Sequence, residues 1–121
     1  MDTSWVDKFC LDMPFTTKDY QPVWDAYRYY VGGKMFMMRG KYKDNRPIIT
    51  LKLEPEYGYL LREQYSDIIP GYYSNKEYWN SIFEDGNIPD DLLMDMLIKS
   101  YNLIYNSLTK KKRSELEQSL K

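Results

Sequence analysis

Histidine occurs nowhere in the 121 residues, and cysteine occurs once, as Cys10. Without an imidazole, neither a Ser-His nor a Cys-His nucleophile can be assembled, and a structural zinc site, which draws on Cys and His, has no ligand set. A lone cysteine excludes an internal disulfide and fits a reducing compartment, where its simplest role is that of a small core-facing residue. No run approaches the roughly 18 consecutive apolar residues of a membrane-spanning helix. The start, Met1-Asp2-Thr3-Ser4-Trp5, has neither the basic residues nor the apolar stretch of a secretory signal. No membrane association and a cytoplasmic location are therefore expected. A glycine-rich phosphate loop is missing too, because Gly32-Gly33 lies between two strand-like runs rather than ahead of a helix. These absences argue against an enzyme and against a bound cofactor, and leave only lysine- or carboxylate-based chemistry open.

What is present suffices for one core. Hydrophobic residues make up 43% of the chain and charged residues 29%, the balance of a single wet-surfaced domain. Asp2 and Thr3 are caps ahead of Trp5, Val6, Phe9, Cys10 and Met13, which share a helical face over 3–13 until Pro14 stops them. The β-branched and aromatic run 23–31 is separated from 34–41 by Gly32-Gly33, the two-residue loop of a hairpin. Pro47 to Leu53 reads as a third strand, with Ile49, Leu51 and Leu53 on one face and Lys52 turned away from the core. A short helix is expected over 55–65, two brief strands over 68–74 and 78–84, and a long helix over 89–108. Its stripe includes Leu92, Leu93, Met96, Leu97, Tyr101, Ile104, Tyr105 and Leu108. A mostly polar last helix follows Thr109. The order predicts an α+β fold, an antiparallel sheet with helices packed on one face.

The net charge of −1 conceals a strong alternation. Residues 28–52 carry Arg28, Lys34, Arg39, Lys41, Lys43, Arg46 and Lys52 against Asp44 alone, an excess of +6; residues 54–95 carry ten acids against Arg62 and Lys76, an excess of −8. The flanks 1–27 and 96–121 stand at −3 and +4. A near-neutral total disfavours indiscriminate nucleic-acid binding, while the basic segment remains a candidate contact face.

Several strings resemble the MmcQ/YjbR family: YVGGKMFMM at 30–38, PIITLKLEPE at 47–56, IIPGYYSNKEYWNSI at 68–82, EDGNIPDDLL at 84–93 and SYNLIYNSLTKKKR at 100–113. The most specific part is Gly71-Tyr72 followed by Asn75-Lys76 and Trp79-Asn80. The resemblance implies a single domain over 1–121 with a CyaY-like fold, and a DNA-binding role through a double-wing arrangement of hairpins. The family often carries His beside the tryptophan, whereas this chain has Tyr78, so no imidazole acts there.

Three surfaces are therefore candidates. The basic hairpin residues Arg28, Lys34, Arg39, Lys41, Lys43, Arg46 and Lys52 are the expected nucleic-acid contacts, with DNA as the leading partner. Tyr72, Asn75, Lys76 and Trp79 lie in a segment that mixes aromatic faces with amide and ammonium donors, suited to a small ligand or a protein partner; a closed turn with Trp79 filling core is its plainer reading. The acids Glu84, Asp85, Asp90, Asp91 and Asp95 invite a hard cation, but as helix-start and surface residues they point to no metal. The run Lys110-Lys111-Lys112-Arg113 reads as solvated surface. A monomer is expected.

Overall fold

The computed structural model describes residues 1–71 and 75–120. Among these the elements run α1 (Val6–Leu11), β1 (Thr16–Gln21), β2 (Ala26–Val31), β3 (Lys34–Lys41), β4 (Pro47–Lys52), α2 (Pro55–Gln64), β5 (Ile68–Pro70), β6 (Trp79–Phe83), α3 (Asp90–Ser107) and α4 (Lys110–Gln118). The six strands form one antiparallel sheet in the order β1-β2-β3-β4-β6-β5. Four strands thus form a meander, and the chain then leaves through α2 and returns so that β6 lies between β4 and β5.

The β2–β3 turn is set by Gly32 and Gly33, with φ of 57° and 84°. Two successive left-handed residues give a turn whose twist matches that of the strands it joins. Further along this pair, Tyr29 stands opposite Met37 while Tyr30 stands opposite Met35, so Phe36 is an extra, bulged residue. The bulge leaves a backbone carbonyl to be satisfied. Ser100, fully buried on α3, donates its Oγ hydrogen to the Phe36 carbonyl at 2.7 Å and accepts from the Lys52 backbone N–H at 3.1 Å. A small hydroxyl residue in the middle of an apolar stripe therefore ties the long helix to two strands.

Register assigns the two faces of the sheet. Tyr29, Met37 and Leu51 stand side by side, as do Ile49, Ile82 and Ile68. With Val6 and Cys10 of α1, Leu61 of α2 and Leu93, Met96, Leu97, Tyr101 and Ile104 of α3, they form the hydrophobic core. The expected arrangement of helices on one sheet face is what the chain adopts. The opposite face carries the row Asp19, Arg28, Met38, Thr50, Ser81, Ile69. Thr50 and Ser81 are buried in that row and share a hydrogen bond of 2.8 Å between their hydroxyls.

Some expectations need correction. Strand β1 was not anticipated, because Thr16–Gln21 is polar and mostly exposed and pairs on one side only; an edge strand carries little of the periodicity that marks a buried one. Residues Val23 to Asp25 form the β1–β2 turn, with Asp25 left-handed at φ 49°, so β2 begins at Ala26 rather than at 23. The first helix is shorter than 3–13. The strand expected over 68–74 ends at Pro70, and its residues 72–74 lie outside the described ones. The last helix starts as anticipated, with the Thr109 side chain accepting from the Lys112 N–H. No helix among the described residues is long and apolar enough to cross a membrane.

Leu97 is fully buried between α3 and the sheet. Leu97→Ala should lower the unfolding free energy by about 2–5 kcal/mol, read from urea denaturation.

Candidate functional site

The seven basic residues of 28–52 are distributed by the sheet and do not share a face. Arg39 lies in the helix-facing row with Ile49, whereas Arg28 lies in the opposite row with Thr50. Lys52 also points away from the core, its ammonium 5.2 Å from the Tyr78 ring centre. Lys34 sits beside the hairpin tip and donates to Ser107 Oγ at 3.2 Å. Lys43 lies over the Tyr42 ring, in the β3–β4 connection.

Four of the seven are neutralised by acids from other parts of the chain. Arg28 grips Asp19 with two parallel hydrogen bonds of 2.8 Å. Lys41 meets Asp25 at 2.9 Å, and Arg46 meets Asp85 at 2.7 Å while its guanidinium lies 3.7 Å from the Phe83 ring centre. Arg39 is bonded to Glu84, which is nearly buried. The basic excess of the segment is thus offset by the acidic segments on either side of it, once folding brings them together.

Arg39 and Glu84 belong to a polar network beneath α1. Thr3 Oγ1 donates to Glu84 at 2.7 Å, and Tyr29 and Lys18 both donate to Asp7, at 2.7 and 2.6 Å. Burial is the largest single influence on Arg39 and acts against its charge, but the hydrogen bond to Glu84, the charge of Glu84 and the neighbouring Tyr29 together raise its pKa. Lys18, and after it Tyr29, hold the Asp7 carboxyl below its ordinary value. Cys10 is buried alongside, and burial pushes its thiol up to about 12, so it is protonated and inert as a nucleophile at neutral pH.

In the segment expected to bind a ligand, the described residues from Asn75 onward make polar contacts within the protein. Asn75 Oδ1 accepts from the Glu77 N–H at 2.9 Å, and its carbonyl accepts from the Trp79 N–H. Lys76 Nζ donates to the Gly71 carbonyl at 3.2 Å. Arg62 of α2 donates to Asn80 Oδ1 and to the Lys76 carbonyl. Trp79 is half-buried opposite Lys52 rather than in the core cluster, and a Cβ on Gly71 would come within 2.6 Å of its own Cβ. Tyr72 lies outside the described residues. Among the described residues no three acids gather as metal ligands; Asp95, for instance, accepts from Tyr57 and Lys99, both at 2.6 Å.

Lys43 and Lys52 make no ion pair among the described residues, and further cations without one lie at the hairpin tip and beyond α3. Lys34, Lys110, Lys111, Lys112 and Arg113 make no ion pair among the described residues. Lys34 bonds to Ser107, just ahead of that run, and a Cβ on Gly32 would lie 2.8 Å from Leu108 and 2.9 Å from Leu116, so the hairpin turn is seated on the α3–α4 junction. The run 110–113 was visible in the sequence as four consecutive cations, but its neighbourhood to Lys34 was not.

The sheet with helices on one face, extended by a basic corner where hairpin and last helix meet, defines a small α+β domain of known type. The YjbR family model matches residues 11–103, and the chain belongs to the YjbR family. It is 33% identical over 118 residues to the Escherichia coli K12 protein called "Uncharacterized protein YjbR", covering 98% of this chain and 99% of that one. It is 32% identical over 106 residues to "Uncharacterized protein YbdF" of Escherichia coli O157:H7, covering 86% and 84%. A crystal structure of a Deinococcus radiodurans protein with a DUF419 domain superposes with a TM-score of 0.83 at 29% identity, over 93% of this chain and 85% of that one. A Pseudomonas syringae protein shares the fold, with a TM-score of 0.71 at 20% identity over 86% and 99%.

The ion pairs make two outcomes testable. Glu84→Gln leaves the Arg39 charge without a carboxylate and should cost about 3–5 kcal/mol, whereas replacing both residues by apolar ones of similar size should recover most of the stability in the same urea assay. The second concerns pH. Asp7, Asp19, Asp25, Asp85 and Asp95 are all held below the ordinary carboxylate value, chiefly by Lys18, Arg28, Tyr20, Arg46 and Lys99 respectively. A depressed folded pKa stabilises above the unfolded value, near 4, and the stabilisation is lost as pH falls through the folded value. With no histidine to titrate, the urea midpoint should stay level between about pH 5 and 8 and drop below about pH 4.

Proposed function

We propose that this YjbR-family domain binds nucleic acid, and that the contact is the basic corner formed by Lys34 and Lys110–Arg113 rather than the whole 28–52 segment. The observation that carries this reading is that none of the five makes an ion pair among the described residues and Lys34, Lys110, Lys111 and Lys112 are exposed near the α3–α4 junction, while Arg28, Arg39, Lys41 and Arg46 already hold carboxylates. Exchanging a carboxylate for a phosphate gains little, whereas a solvated cation releases condensed counterions when it meets the backbone. The β2–β3 hairpin then acts as the wing that the family resemblance implies, with its tip held in place by Leu108 and Leu116.

The Tyr72–Asn80 segment is the weaker candidate for a partner surface, because the polar groups of Asn75 and Lys76 close their own turn. The overall charge of −1 supplies no long-range attraction, so binding should be modest, salt-sensitive and weakly sequence-selective.

Fluorescence anisotropy against a labelled duplex should show binding at about 50 mM salt, weakening linearly on a log–log plot as salt rises. Converting Lys110, Lys111, Lys112 and Arg113 to Ala should reduce the slope by about 0.9 for each phosphate that is no longer neutralised. Lys8→Ala, which removes a distant exposed cation paired with Asp12, should leave it unchanged. No binding at low salt, or a slope indifferent to the quadruple change, would overturn the proposal.

A further inference from the structure

A groove runs between the start of α2 and the outer flank of α3. Its volume is about 440 Å³, and it is lined by Leu53, Glu54, Tyr57, Lys99, Asn102, Leu103 and Asn106. That is within the range of small-molecule sites, roughly 300–1,000 Å³. The chain builds it through helical spacing. Asp95, Lys99, Asn102 and Asn106 recur at intervals of three and four along α3, which sets them on one flank. Leu53 ends the β4 region with its side chain buried, and Leu103 is half-buried beside it.

The polar groups around the groove divide into two sets. Tyr57 donates to Asp95, Lys99 also donates to Asp95, and the Lys99 ammonium lies 4.8 Å from the Tyr57 ring centre. This set is charge-balanced, and it fixes the tyrosine ring as a wall. The other set makes no hydrogen bond with its side chains among the described residues. Glu54 stands at the N-cap of α2 yet does not cap it, and the carboxamides of Asn102 and Asn106 are exposed one turn apart. A carboxylate at a helix start is favourably placed against the helix dipole. The groove therefore combines an apolar floor and an aromatic wall with one net negative charge and two neutral amides.

We propose that this groove is a binding site for a small organic ammonium ion with a ring-sized apolar body. The ammonium pairs with Glu54, the body lies on Leu53, Leu103 and the Tyr57 ring, and Asn102 and Asn106 bond to a polar group at its far end. Anions are disfavoured, because the one cation in the groove is held by Asp95. The site is independent of the nucleic-acid contact, sharing no residue with it.

Tyramine is a suitable probe, having an ammonium, a ring and a hydroxyl. In proton–nitrogen correlation spectra of the full chain, it should shift resonances within 53–57 and 99–106 and leave those of 110–113 unmoved. Glu54→Gln should weaken it about tenfold, the scale of one charge-assisted contact, and Leu103→Trp should abolish the shifts by filling the groove. The neutral analogue 4-ethylphenol should bind at least tenfold more weakly, about 1.4 kcal/mol. Preserved peak dispersion in each variant would show that it remains folded. Absence of shifts in the groove residues overturns the site, and equal binding of 4-ethylphenol or of the Glu54→Gln variant overturns the assignment of a cation.

Discussion

The Arg39 guanidinium lies on the helix-facing side of the sheet, and its charge must be matched there. An unpaired ion in that position would cost several kcal/mol, more than most single contacts return. Glu84 supplies the match from just beyond β6, and Thr3 adds a hydrogen bond from the N-terminal segment. One ion pair thus couples three parts of the chain that are distant in sequence. The neighbouring Asp7, held by Tyr29 and Lys18, fixes α1 over β1 and β2 in the same way. Helix α1 has only six residues, so tertiary contacts rather than its own propensity hold it in place.

The same principle governs the surface. The alternation of basic and acidic segments along the chain is resolved into pairs across the sheet: Asp19 beside Arg28, Asp25 beside Lys41, Asp85 beside Arg46. These exposed pairs contribute little to stability individually. Their larger effect, together with the Arg39–Glu84 pair, is to neutralise most of the basic charge that the 28–52 segment carries. Glu54 of the α2–α3 groove and Lys34 at the hairpin tip are among the charges that make no ion pair with the described residues.

Elements whose burial is one-sided and regular were legible before the structure. The α3 stripe is one, with Leu93, Leu97, Tyr101 and Ile104 all buried, and the Gly32-Gly33 hairpin is another, since only glycine takes two left-handed positions without strain. The alternation of Ile49, Leu51 and Leu53 against Lys52 also places each side chain on its observed face. Strand β1 was not legible, because a polar edge strand owes its conformation to the neighbour that pairs with it. The bulge at Phe36 and the role of Ser100 in satisfying it were hidden for a similar reason: neither residue signals the other across 64 positions.

By itself the sequence determined the fold class, the main core, the family likeness and the chemistries excluded by the absence of histidine, because these depend on composition, local period and contiguous motifs. Which charges are paired, how the hairpin tip comes to sit on the α3–α4 junction, and how Glu54 comes to line one groove with Asn102 and Asn106 were decided only by the tertiary structure. Those arrangements depend on register and helix placement, which set residues from separate segments side by side, and polar interactions act over too short a range for a linear sequence to reveal which groups will meet.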